Sequence, residues 1–530
     1  MSSAALTLEQ DIWRPRFNPW LIAVVVALAA FMEVLDTSIA NVALPYIGGN
    51  LGASNDESTW VLTSYLVSNA IVLPISGWLA GRLGRKRFFM ICVGVFTLSS
   101  FLCGLAPSLE SLLLFRVLQG AGGGGLQPMA QAILADSFPP EKRGLAFAVY
   151  GITAVTAPTI GPTLGGWITF NYSWRWIFFI NLPVGILTWL LVRRFVEDPP
   201  YLAKLKAAGV KLDYIGISLL VFGVGALQVL LDKGQEDDWF GSRFITTLVI
   251  VAAACLISLV IWEWFHKSPI IDVRMFRNFN FASSNVMLFM LGVVLFSSLV
   301  LMPLFLQTLV GYTSQVAGLA LSAGGLFLLF EQPIIGLLTT KFQARRLIAF
   351  GWLALSAAMF YSTQRIDLQI SFVAATVVRV TQVIGLGFLF VPISLVAYVG
   401  IAPEKNNSVA GIINFMRNMG SSVGTSLVTT LLARRSQLHQ NRLIEFTRVD
   451  NFSFQNSVTG LTRQFSVSGM SVHEARGASV AAIYQALLAQ ATSLAYIDIF
   501  MVLCVASAIM FVLSFLLEKN DPGGGRFSPE

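Results

Sequence analysis

Charged side chains embedded in apolar sequence are the places where this chain could do chemistry. Glu33, Asp36, Arg116, Glu331, Arg379 and Arg417 each interrupt a long hydrophobic stretch. A lone charge in hydrocarbon is costly, so such residues face a cavity, pair with one another and usually serve function. Glu33 precedes Asp36 by three residues, which places both on one helix face about 60° apart. Two carboxylates that close, away from water, resist double ionisation, so one is expected to hold a proton near neutral pH. A proton carrier needs that property. Asp36 and Arg116 each fall some seven or eight residues from the outer end of their stretches. At about 1.5 Å per residue, both lie roughly 10–12 Å deep and could meet. The plainer alternative is that Asp36 caps backbone or ties its helix to that of Arg116. Glu331 could take up a proton or attract a cationic substrate, or it could pair with Arg379 or Arg417. Asn41, Gln119, Arg379, Gln382 and Arg417 are the polar residues expected at a substrate cavity, with Arg417 serving mainly to hold its helix in place.

Other chemistries find little support. Gly120–Gly125 is a glycine run without a following Lys-Ser/Thr, so it reads as close helix packing rather than a phosphate loop. Cys92, Cys103, Cys255 and Cys504 lie in apolar runs with neither paired nor metal-ligand spacing. His266, His439 and His473 are scattered in polar connections and read as incidental. No Ser/His pair or metal cluster suggests an intramembrane enzyme. No cofactor is expected, and a proton gradient is the expected energy source.

Those charges must be positioned by membrane-spanning helices. Of 530 residues, 55% are hydrophobic and 12% charged, about half the charged share of a soluble protein. Runs of about 20 apolar residues suffice to span. They fall at 20–43, 58–79, 88–106, 109–132, 144–168, 175–195, 213–231, 243–264, 281–308, 316–340, 346–362, 370–401, 407–433 and 493–517. An even number, fourteen, puts both termini on one side. The first run is long enough to span and is expected to stay in the mature protein. Net charge is +7, and Lys and Arg cluster at 82–87, 142–143, 193–211, 267–277 and 341–346. Basic residues gather on cytoplasmic loops, so both termini are expected in the cytoplasm. Nucleic acid is not an expected partner.

An internal repeat is visible at an offset of about 260 residues. Pro74-Ile75-Ser76-Gly77-Trp78-Leu79 with Arg82-Leu83 and Arg85-Lys86 echoes Pro333-Ile334-Ile335-Gly336-Leu337-Leu338 with Lys341-Phe342 and Arg345-Arg346. Likewise Arg116-Val117-Leu118-Gln119-Gly120 echoes Arg379-Val380-Thr381-Gln382. The shift joins the second run to the tenth and the fourth to the twelfth. Two six-helix halves therefore flank an inserted pair, runs seven and eight. Parallel six-helix repeats place substrate near the midplane between halves.

Several segments carry a family resemblance. Leu35-Asp36-Thr37-Ser38-Ile39-Ala40-Asn41-Val42-Ala43-Leu44-Pro45 ends the first run, and Gly77-Trp78-Leu79-Ala80-Gly81-Arg82-Leu83-Gly84-Arg85-Lys86 joins the second to the third. Arg116 with Gln119-Gly120 lies in the fourth, and Ala157-Pro158-Thr159-Ile160-Gly161-Pro162-Thr163-Leu164-Gly165-Gly166 in the fifth. Asn414-Phe415-Met416-Arg417 with Gly420 and Gly424 lies in the thirteenth. Over nearly the whole chain these resemble the EmrB-type fourteen-helix drug:proton antiporters of the major facilitator superfamily. The second motif departs at Gly81, where the superfamily commonly has an aspartate. The resemblance implies an all-α membrane protein with the major facilitator fold, exporting small hydrophobic drugs or metabolites in exchange for protons across a bacterial inner membrane. It marks Gly77, Arg82, Gly84 and Arg85 as gating residues. Pro158, Gly161, Pro162, Gly165 and Gly166 read as a kinked, closely packed helix that rocks at the seam between the halves, or as a purely structural kink.

The expected organisation is a cytoplasmic segment over 1–19, a first half over 20–195, the inserted pair with linkers over 196–280, a second half over 281–518 and a tail over 519–530. Within the second half, 434–492 reads as a long, polar periplasmic loop. Long loops of this kind are usually functional or disordered. By resemblance, such members work with an EmrA-like adaptor and a TolC-like outer-membrane channel. The alternatives are a dedicated exporter of one siderophore or aromatic acid, and a transporter-derived sensor.

Overall fold

The structure, a computed structural model, describes residues 15–200, 213–448 and 450–518. The expected tail, most of the N-terminal segment and part of the linker before the inserted pair lie outside the described residues. In hydrocarbon each backbone amide and carbonyl must be satisfied within the chain, and helices meet that demand throughout. The first half comprises α1 (Pro19–Leu51), α2 (Asn55–Leu83), α3 (Arg85–Leu105), α4 (Leu109–Gly123 continuing as Leu126–Ser137), α5 (Arg143–Asn171) and α6 (Asn181–Phe195). The inserted pair is α7 (Tyr214–Lys233) and α8 (Arg243–Phe265). The second half holds α9 (Phe279–Thr308), α10 (Ser314–Lys341), α11 (Ala344–Arg365), α12 (Phe372–Ala397), α13 (Asn406–Leu443), α14 (Phe452–Val467) and α15 (Val472–Ser514).

Among the described residues, eleven spans are long and apolar enough to cross a membrane, and twelve if α5, bent by 43° next to Pro158, counts as one. Two more expected runs fail that test for identifiable reasons. α4 is broken at Gly124–Gly125, and the run in α13 is interrupted by Asn414, Arg417 and Asn418 among several Gly and Ser. The arrangement is consistent with the expected fourteen. Most helices outrun their apolar runs because caps, not lipid, end them. Asn18 caps α1, and Ser54 forms a reciprocal capping box with Glu57 at α2.

The long loop expected over 434–492 is in fact almost entirely helical. α13 runs on to Leu443, α14 spans Phe452–Val467, and α15 begins at Val472, capped reciprocally by Ser471 and Glu474. Polarity misled the expectation: a helix in water need be apolar only where it meets another. Gln440 donates to the Tyr484 hydroxyl at 3.1 Å beyond both apolar runs, and His439 meets Asp498, near the start of the last run, at 2.9 Å, joining α13 to α15.

Two seams join the halves: α2 lies along α13, and α5 along α10. Repeat-related glycines tighten both. A Cβ on Gly77 would lie 2.9 Å from the Ser408 backbone, and one on Gly336 would lie 3.0 Å from the Ala148 Cβ. The inserted pair is not a third bundle. α7 packs over α2 and α13, burying Leu220 and Val224 beside Trp78 and Met419, while α8 leans on α7.

Because no side chain fits between α2 and α13 at Gly77, we expect Gly77→Leu to leave a folded protein with a loosened seam. Overpacking of this kind costs about 1–3 kcal/mol, enough to shift a closed–open balance roughly tenfold. A cysteine introduced at buried Ala410 should then react with maleimide about tenfold faster in nanodiscs. Equal rates in both backgrounds would contradict the packing argument.

Candidate functional site

Asp36 and Arg116 meet. Arg116 Nη1 donates to Asp36 Oδ2 at 2.7 Å, and both side chains are buried. Gln119 Nε2 and Asn181 Nδ2 donate to Asp36 Oδ1 at 2.9 and 2.7 Å. Arg116 also donates to Gln119 Oε1 and, through Nε, to the Val61 carbonyl, while its guanidinium lies over the Tyr65 ring. Asn181 reaches Ser100 Oγ at 3.0 Å. Thus α1, α2, α3, α4 and α6 converge on one ion pair. Gln119, expected at a substrate cavity, is instead committed to this cluster.

Glu33 lies in a different network. Its Oε1 accepts from the Tyr65 hydroxyl at 3.2 Å and from Asn69 Nδ2 at 3.1 Å, and its Oε2 accepts from Gln127 Nε2. Gln127 Oε1 in turn accepts from the Tyr150 hydroxyl at 3.0 Å and from Arg417 Nη2. Arg417 belongs to the second half and lies over the Phe390 ring. A carboxylate on α1 is therefore linked through one amide to a guanidinium on α13. Asn414 and Asn418 add crossings, to Gln131 at 2.8 Å and to Asn69 at 3.3 Å.

At the end of the bundle where the basic clusters lie, Arg85 closes the seam. Its Nη1 pairs with Asp136 Oδ2 at 2.7 Å, and its Nε donates to Asn407 Oδ1 at 2.8 Å. Asn406 Nδ2 reaches the other Asp136 oxygen at 2.6 Å. The carboxylate missing at Gly81 is thus supplied near the end of α4. Gly84, at φ 89°, makes the tight turn that aims Arg85 inward. Arg82 points the other way, exposed and over the Trp78 ring.

Three expectations need correction. Glu331 pairs with neither Arg379 nor Arg417; both of its carboxylate oxygens are buried without a hydrogen-bond partner. It faces Gly387 on α12, where a Cβ would lie 2.6 Å from its carboxyl carbon. Arg379 is eight residues away along that helix, about 12 Å. Gly161 and Gly165 pack α5 against Ser38 and Ile39 of α1, inside the first half rather than at the seam. Gly166 has only Val42 nearby, at 3.9 Å. Small residues mark close approach but not which helix approaches. The α5 seam is served by Gly144 and Gly151, which face Thr339 and Gln332 of α10. The bend next to Pro158 is where expected, Pro162 lies just beyond it, and Ser38 Oγ donates to the freed Pro158 carbonyl at 3.1 Å. Finally, Asn41 is exposed near the far end of α1 and joins neither cluster. Tyr65, Asn69, Gln127, Asp136 and Asn181 were not singled out from the sequence. Of these only Asp136, an acid near a helix end, carried a charge signal.

The sequence and the fold have counterparts in known proteins. The family profile described as Major Facilitator Superfamily matches residues 26–425. The chain is 40% identical over 425 residues to the "Multidrug export protein EmrB" of Haemophilus influenzae, covering 80% of this chain and 82% of that protein. It is 39% identical over 441 residues to the "Fatty acid resistance protein FarB" of Neisseria gonorrhoeae, covering 82% and 85%. The structure of the proton:xylose symporter XylE bound to 6-bromo-6-deoxy-D-glucose superposes with a TM-score of 0.61 at 14% identity, covering 96% of this chain and 97% of that one. That likeness concerns fold alone. The profile and the two-thirds-and-more coverage by relatives establish that this multi-pass membrane protein belongs to the EmrB-type branch of the Major Facilitator Superfamily.

Proposed function

We propose that the chain exports small amphipathic compounds in exchange for protons by alternating access, with Glu33 as the proton carrier and Asp36 as a fixed partner of Arg116. One observation carries this reading: Glu33 and Arg417, from opposite halves, share Gln127. An ionised carboxylate only accepts hydrogen bonds, whereas a protonated one must donate. When Glu33 takes a proton on Oε2, its Oε1 still accepts from Tyr65 and Asn69, but Oε2 becomes a donor facing the Gln127 NH2 group. The Gln127 amide must then turn or let go, and its oxygen leaves Arg417. Protonation in one half is thereby felt across the seam, and a carrier needs such a difference between its states.

In this reading the basic end faces the cytoplasm of a bacterial inner membrane, both termini included. The Arg85–Asp136–Asn406/Asn407 latch seals that face. The relatives' names support drugs and fatty acids as cargo. The hairpin of α13 and α15, with α14 between, stands beyond the membrane and serves as the dock for an EmrA-like adaptor leading to a TolC-like channel.

Three outcomes test the reading. Glu33→Gln should abolish pH-gradient-driven transport in proteoliposomes while retaining substrate binding; transport at the normal rate would overturn the assignment. Asp36→Asn should chiefly destabilise, because an uncompensated buried guanidinium costs about 3–5 kcal/mol. Its melting temperature in detergent should fall by several degrees, and adding Arg116→Gln should recover part of the loss; no recovery would mean the pair is not the source. Replacing 444–479 with a short Gly/Ser linker should spare binding in detergent yet remove resistance in cells that export across two membranes. Full resistance without those residues would refute the docking role.

A further inference from the structure

The halves repeat one polar motif but not its charge. A shift of about 262 residues carries Asp36 to Ser298, Ser100 to Ser362, Arg116 to Arg379 and Gln119 to Gln382. The geometry repeats as well. Arg379 Nη1 donates to Ser298 Oγ at 3.2 Å and to Gln382 Oε1 at 3.3 Å, and Gln382 Nε2 donates to Ser362 Oγ at 3.0 Å. All four side chains are fully buried. Two partners of Arg116 are nevertheless absent from the copy. Ser298 replaces the acid, and nothing takes the place of the Val61 carbonyl at Nε. Arg379 Nε and Nη2 are both buried without a hydrogen-bond partner. These two nitrogens form one edge of the guanidinium, the planar fork that suits a carboxylate bidentately.

Arginine stays charged in proteins, so this buried cation calls for an anion. No acid among the described residues forms an ion pair with it, and Glu331 lies about two turns away along the seam. Gly324 of α10 packs directly on the arginine, where a Cβ would come 2.9 Å from Val383 Cγ2 and 3.1 Å from Arg379 Cγ, so no side chain of α10 covers the guanidinium from this position.

We propose that Arg379, held by Ser298 and Gln382, binds the carboxylate of an amphipathic substrate at its open Nε–Nη2 edge, which supplies the negative charge that Asp36 supplies in the first half. The ligand's route rests on the export reading, but the site does not.

The test is equilibrium binding of dodecanoate and of dodecanol to the full chain in phosphatidylcholine nanodiscs, in chloride-free buffer. Wild type should favour the carboxylate over the alcohol by about ten- to hundredfold, the span expected for a charge-assisted pair. Arg379→Gln should erase that preference. Ser298→Asp should erase it too, by restoring the arrangement that the first half already accommodates, and it decides the matter if Arg379→Gln does not fold. A preference that survives Ser298→Asp, or is missing from wild type, overturns the proposal. Displacement of dodecanoate by millimolar chloride or by phosphatidylglycerol would assign the site to those anions and overturn it likewise. If dodecanoate binds as expected but no proton-driven transport is seen in proteoliposomes, the export reading fails and the site stands.

Discussion

A guanidinium cannot be left alone in hydrocarbon, and the first half is organised around satisfying one. Arg116 gathers Asp36, Gln119, the Val61 carbonyl and the Tyr65 ring, while Asn181 completes the carboxylate from α6. The attraction is strong where water is excluded, but desolvating both ions offsets much of it. What the pair secures is a single arrangement of five helices. A carboxylate so fully engaged is a poor proton shuttle. The neighbouring acid, Glu33, meets only neutral donors, which is why the proposed reading gives the proton to it.

The two acids three residues apart on α1 therefore sit in separate networks, the anchor and the moving part of the proposed exchange. Asp36 binds within its half; Glu33 binds residues that reach the other half. Between them lies Tyr65, whose ring lies under Arg116 and whose hydroxyl donates to Glu33. The same economy shows at the seams. Glycines let the helices approach to backbone contact, so the halves meet over narrow strips crossed by a few amides. Asn407, Asn406, Asn414 and Gln127 each bridge at one point. The amides carry no net charge, so parting the halves breaks hydrogen bonds, three of them to charged partners at about 1.5–3 kcal/mol each, without separating an ion pair.

Much of this was legible in the sequence. Depth counted along two apolar runs brought Asp36 to Arg116, and the offset repeat anticipated that α2 and α10 would carry equivalent glycines. The neutral network round Glu33 was not legible, because Tyr65, Asn69 and Gln127 are individually unremarkable and only packing assembles them. Partner choice was equally hidden. Gly161 and Gly165 announced a close neighbour without saying whether it was α1 or α10. The second-half arginine was visible as an echo, but the change from Asp36 to Ser298 acquires meaning only once α9, α11 and α12 stand side by side.

The inserted pair has a geographical consequence. α7 and α8 cover the α2–α13 seam from outside, whereas the α5–α10 seam has no such cover among the described residues. α8 presents Ile250, Ile257, Val260 and Ile261 outward, as a surface facing acyl chains does. Seen from the bilayer, the molecule thus has a back and a front. A greasy solute dissolved in the leaflet meets a double wall on one flank and a single bent helix, α5, on the other. The two flanks thus differ in how much protein separates the acyl chains from each seam between the halves.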